Sequence, residues 1–347
     1  MNDNVIYWLT LINNSGLKLG KIKKIIHEWY FMDNKPIKDL FALSSSELYF
    51  SFNLTDAETN QFLKAIKPPI LQKQQILIET WQKENIKILT LENLHYSVRL
   101  IAMLQIKQLP LLLWVKGDTH LLNEPTITIL GPEKPQESTV EFVELLIQEL
   151  ISENIGVVSG YGRGLDRIVF EKMIQGESGL GVAFLPMGLA SFAKMTRRLD
   201  KYIESHRTVL VSPFAPDMSF KEGFKAARNI LIDAFALILF VPEAKDIDSA
   251  RIQTALNQGR PVIVLENGSP ENEILINEGA IAVNQPSEII ELIHQVLLDS
   301  TVTPTHETDD DDYGLIREVL PPYNSDEALD ILSAGGNVPE VLKARLK

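Results

Sequence analysis

Residues 126–300 alternate short, almost wholly apolar runs with longer amphipathic segments. The runs Ile127–Leu130, Gly156–Ser159, Gly181–Leu185, Val209–Val211, Ala236–Val241 and Val262–Leu265 are continuous in apolar character, as strands buried on both faces are. Between and after them, Thr139–Glu153, Leu165–Gln175, Thr196–Ser205, Phe220–Ile232, Ala250–Gln258 and Ser287–Leu298 carry the period of helices. Strands regularly separated by helices predict an α/β fold, a Rossmann-like, doubly wound and mostly parallel sheet.

The first 66 residues read differently. Val5–Ile12 is apolar, Gly16-Leu17-Lys18-Leu19-Gly20 has the composition of a turn, and Ile22, Ile25, Ile26 and Trp29 mark one helical face. This predicts a small helical domain of helix-hairpin-helix or SAM-like type over residues 1–68, closed by Lys67-Pro68-Pro69. A glycine turn between helices offers N–H groups to a phosphate, and Lys18, Lys21, Lys23 and Lys24 surround it; a plain helical domain with a solvated lysine face fits equally. An extended Rossmann-like domain is expected over 69–300. Residues 301–347, with Asp309-Asp310-Asp311-Asp312, read as an acidic linker and a short helical tail.

The 347 residues are 45% apolar and contain no cysteine, which excludes disulfides and thiol catalysis. No run approaches the ~18 apolar residues of a membrane span, and the start lacks a basic leader, so the cytoplasm is the expected compartment. The formal charge of −13 argues against a general nucleic-acid coat. It is unevenly spread, however. Residues 160–230 hold 11 basic and 7 acidic side chains, whereas 231–300 hold 3 and 11, so a positive face on an acidic body is expected.

In a doubly wound sheet, ligands bind beyond the carboxyl ends of the strands. The loop Ser159-Gly160-Tyr161-Gly162-Arg163-Gly164-Leu165-Asp166 lies between a strand and a helix, and its three alternate glycines let backbone approach a phosphate. Its spacing matches neither the dinucleotide fingerprint nor a Walker loop. The cations Lys194, Arg197 and Arg198 follow a later strand, and Lys225 to Asn229 precede another. Tyr161 and Phe192 are candidates for base stacking. The six histidines form no pair at ligand spacing, and neither metal nor cofactor is assigned.

With these residues laid out, the chain resembles the DNA-processing DprA (Smf) family over residues 5–300. The family's Leu-Leu-Tyr-x-Lys-Gly strand is similar to Leu112–Gly117, and its Ser-Gly-x-Ala-x-Gly-Ile-Asp loop to Ser159–Asp166. Its Tyr-Pro-x-x-Asn-x-x-Leu segment is similar to Phe192–Leu199 and its Arg-Asn-Arg block to Arg228-Asn229-Ile230. Glu243-Ala244 and Gln258–Val262 match later signatures. The resemblance implies a homodimeric protein of natural transformation that binds single-stranded DNA, helps load the RecA recombinase and turns over no substrate. It places the DNA site on Ser159, Gly160, Gly162, Arg163, Gly164, Lys194, Arg197, Arg198, Lys225, Arg228 and Asn229. Three departures stand out: Glu133 replaces an arginine of a Gly-Ser-Arg loop, Ile230 replaces the second arginine of Arg-Asn-Arg, and Phe170 replaces a histidine. Two other readings stay open, a nucleotide-binding enzyme or sensor of the same superfamily and a partner-binding paralogue that has lost DNA.

Overall fold

The computed structural model describes residues 4–299; the expected acidic linker and tail lie outside the described residues. The chain divides into two units, one of 4–96 with 104–115 and one of 97–103 with 116–299.

In the first unit, helix Val5–Asn14 packs on helices Asp56–Ala65 and Pro68–Lys83. Ile22, Ile25, Ile26 and Trp29 are all buried, on helix Leu19–Ile26 and its π-helical continuation His27–Met32. Capping boxes start the next helices: Ser44 with Glu47 for Ser45–Phe52, and Thr55 with Glu58 for Asp56–Ala65. Gly20 lies inside the first turn of its helix, so the turn itself ends at Lys18. Pro68 and Pro69 occupy the first positions of their helix, where a missing N–H loses no bond. The proline pair therefore opens a helix, and the first unit runs past it to β1 (Lys87–Thr90) and the first four residues of β2 (Leu112–Gly117). These pair antiparallel, Ile88 opposite Trp114.

The second unit holds the parallel sheet: β3 (Thr126–Ile129), β4 (Gly156–Ser159), β5 (Gly181–Phe184), β6 (Thr208–Ser212), β7 (Leu239–Val241), β8 (Val262–Leu265) and β9 (Ile281–Val283), in the order β6-β5-β4-β3-β7-β8-β9. Every residue of β3 to β7 is buried, as the continuous apolar runs predict. The chain first steps outward from β3 to β6, then returns along helix Glu222–Phe235, which packs on β3, β4 and β5, and steps the other way to β9. In sheets of this kind such crossovers are right-handed, and stepping in two directions covers both faces. Strand β9 and helix Pro270–Asn277 escape the sequence pattern because β9 has three residues, two of them exposed. Among the described residues no helix is long and apolar enough to cross a membrane.

Candidate nucleic-acid interface

Strand order reverses at β3, so the crevice between the loops after β3 and β7 is where a nucleotide phosphate enters a sheet of this kind. Here Glu243, 1% exposed, fills that place. Its carboxylate accepts the Gln136 amide at 2.9 Å and the Thr139 hydroxyl at 3.0 Å, capping helix Glu137–Ser152 from within the protein. The helix after β5 is closed in another way: the amides of Gly188 and Ala190 donate to the carbonyls of Met218 and Pro216.

The loop after β4 is built around Asp166. Its carboxylate accepts the Ser159 hydroxyl at 2.7 Å, the Gly162 amide at 2.6 Å and the Gly160 amide at 3.4 Å. The donors of Ser159, Gly160 and Gly162, expected to cradle a phosphate, are thus met by a side chain of the same turn. The amides of Arg163 and Gly164 carry no bond to another group among the described residues. Gly164 has φ +69 and approaches the backbone of Pro132 and Glu133, whose loop follows β3. Removing the carboxylate in Asp166→Ala leaves three donors unmatched and is expected to cost about 2–4 kcal/mol. Denaturant unfolding of this variant reads that loss, and an unchanged midpoint would show that the loop does not depend on Asp166.

Two further segments converge on this loop. The Arg228 guanidinium, half-buried on helix Glu222–Phe235, donates to the Gly160 carbonyl at 2.6 Å. A Cβ on residue 160 would lie 1.6 Å from that nitrogen, so the guanidinium occupies the space that a side chain there would take. Burial lowers the Arg228 pKa, and the neighbouring Asp166 and Asp233 carboxylates oppose the shift. Through its bond to the Gly160 carbonyl, Arg228 holds the loop in place. On the other side, Arg198 donates to the Tyr161 hydroxyl at 2.7 Å and pairs with Glu171 at 2.7 Å. Tyr161, at φ +51, is buried between Phe170 and Phe192, with Arg167 over its ring. Burial, followed by its hydrogen bond to Glu171, pushes its phenol up to about 12. Phe192 is buried too, and Phe170 is part of the same core.

What faces solvent is a set of side chains. Arg163 and Arg197 are exposed and have no ion pair among the described residues. Lys225 is exposed, holds Glu222 at 2.9 Å in a surface pair of small worth, and lies over the ring of Phe220. Phe220, 41% exposed beside Lys225, is an aromatic that sequence reasoning did not single out. Its signal was a position just before the helix that carries Lys225 and Arg228. Asn229 is half-buried on that helix and Ile230 is exposed. Lys194 lies on helix Leu189–Thr196, and its side chain is outside the described set. Glu133 is exposed in the loop that touches Gly164, so one negative charge borders the cations.

Compared with known proteins, residues 87–294 match the family of DNA recombination-mediator protein A. The chain belongs to that family. It is 29% identical over 194 residues to DNA processing protein DprA of Streptococcus pneumoniae, covering 54% of this chain and 68% of the relative. To protein Smf of Escherichia coli it is 28% identical over 251 residues, 68% of this chain and 67% of the relative. Among solved structures, the S. pneumoniae DprA aligns with TM-score 0.58 and 21% identity, over 84% of this chain and 98% of its own. A Helicobacter pylori DNA processing protein A, with a unique single-stranded DNA binding mode, aligns with TM-score 0.50 and 23% identity over 60% of this chain and 96% of its own. The recombination-mediator fold is thus common to all three, and this member of the family carries a DprA-type recombination-mediator function.

Proposed function

We propose that this recombination mediator binds single-stranded DNA on the exposed cations around the β4 loop, acting in the cytoplasm as a homodimer that passes the strand to a RecA-type recombinase. The observation that carries this reading is the convergence of three segments on one loop. Asp166, Glu243, Arg228 and Tyr161 hold the frame, while Arg163, Arg197 and Lys225 are exposed and Lys225 lies over the ring of exposed Phe220. Such a surface meets phosphates with charge and one base with a ring, and leaves base identity unread. The H. pylori relative binds the same class of ligand, single-stranded DNA. The nucleotide-enzyme reading draws less support, since Glu243 stands where a nucleotide phosphate would cap helix Glu137–Ser152.

Three exposed cations at about 0.7 per single-strand phosphate contact predict a log–log salt slope near −2. Fluorescence-anisotropy titration of a short oligonucleotide between about 50 and about 200 mM salt measures it. Absence of binding at the lower salt would sink the proposal and favour the paralogue that binds a partner without DNA, the reading to which exposed Glu133 and Ile230 lend themselves.

A further inference from the structure

The helical unit contains a cavity of about 400 Å³ that the β4-loop site does not use. One wall is the face Leu19, Lys23, Lys24 and His27, residues whose spacing puts them along one side of the helix. The other wall is Ile106-Lys107. The Lys23 ammonium donates to the Lys107 carbonyl at 2.6 Å and ties the walls together. Burial lowers the Lys23 pKa, a cost that a neighbouring anion relieves. Lys24, His27 and Lys107 are exposed. Among the described residues the carboxylate that meets this set is Glu28, 3.8 Å from a Lys24 side chain that is 76% exposed, which leaves the cations in excess there. Lys21, on the opposite side, is held by Glu58 at 2.7 Å. Leu19, half in solvent, and Ile106 supply an apolar surface between the charges.

We infer that this cavity is a second site for single-stranded nucleic acid, with a phosphate held by Lys24 and Lys107 and the adjoining base over Leu19 and Ile106. The combination of a cationic rim and a small apolar wall suits one nucleotide of a strand, and the volume lies within the range of small-ligand sites. The inference rests on the single-strand reading above but not on the β4-loop residues.

The test is oligonucleotide titration of the full chain carrying Lys24→Glu with Lys107→Glu, and separately Gly20→Leu. Gly20 lines the cavity and nothing lies within 4 Å of a Cβ there, so leucine adds apolar bulk on that wall without changing charge. Loss of that phosphate contact is expected to flatten the salt slope by about 0.7 and to weaken binding roughly 5-fold near 0.1 M salt. Gly20→Leu is expected to weaken it several-fold with the slope kept. Unchanged affinity in both variants, while Arg163→Glu with Arg197→Glu still weakens binding, would overturn this site and leave the β4-loop site standing. If the unmodified chain binds no oligonucleotide, both fall. Binding of a poly-glutamate peptide that Lys24→Glu with Lys107→Glu abolishes, with DNA affinity intact, would assign the cavity to an acidic partner and also overturn the inference.

Discussion

Reversing both exposed arginines, Arg163→Glu with Arg197→Glu, is expected to lower affinity for an oligonucleotide of about 20 nucleotides roughly 100-fold near 0.1 M salt. Two lost phosphate contacts account for a factor of about 25, and the repulsion of two new carboxylates supplies the remainder. The salt slope should flatten by about 1.4, and the two proteins should converge as salt approaches about 1 M, where the Debye length is about 3 Å. Folding should be untouched, because neither side chain has an ion pair among the described residues and both are exposed. Anisotropy titration together with a thermal melt checks both halves. Affinity within a factor of two of the parent, in a variant that melts normally, would move the DNA site away from this loop.

The second large effect concerns stability. Gly164→Ala places a Cβ 2.3 Å from the Glu133 Cα and 2.5 Å from the Pro132 carbonyl oxygen, at φ +69 and ψ −136. Both neighbours are backbone and cannot swing aside. The Leu165 amide also donates to the Pro132 carbonyl at 3.1 Å, so separating the loops breaks a hydrogen bond. Backbone strain and overlap together are expected to cost about 3–5 kcal/mol. For a unit of this size that corresponds to roughly a 10 °C fall in the melting temperature. Gly160→Ala is the informative contrast. There the obstacle is the end of the Arg228 side chain, 1.6 Å from the new Cβ, which can rotate away. The smaller loss in stability should come with a loosened loop. Scanning calorimetry of the pair reads the difference, and a Gly164→Ala melt within about 2 °C of the parent would show that the β3 and β4 loops part easily.

Much of the sheet was legible because burial on both faces writes itself locally, as unbroken apolar runs at β3 to β8. Where that signature failed, at β9, the strand is three residues long and mostly exposed. The glycine loop was also legible, since alternate glycines between a strand and a helix announce a turn of unusual backbone. Its chemistry was harder to read. Asp166 looked like one more polar residue of the motif, yet it occupies the amides that glycine spacing suggested for phosphate. Tyr161 and Phe192 looked like stacking rings but face inward, because Phe170 and the Arg167 and Arg198 guanidiniums enclose Tyr161.

The amino-acid order alone therefore determined the class of fold, the strand-turn-helix form of the β4 loop, and the net positive stretch 160–230 inside an acidic chain. All three depend on neighbours within a few residues, where periodicity and composition are informative. Tertiary structure decided which groups remain available to a ligand. Gln136 meets Glu243 from 107 residues away and Gly160 meets Arg228 from 68. Contacts at that separation satisfy internal donors and bury rings without leaving a local pattern, so the frame and the exposed cations could be told apart only once the strands had brought them together.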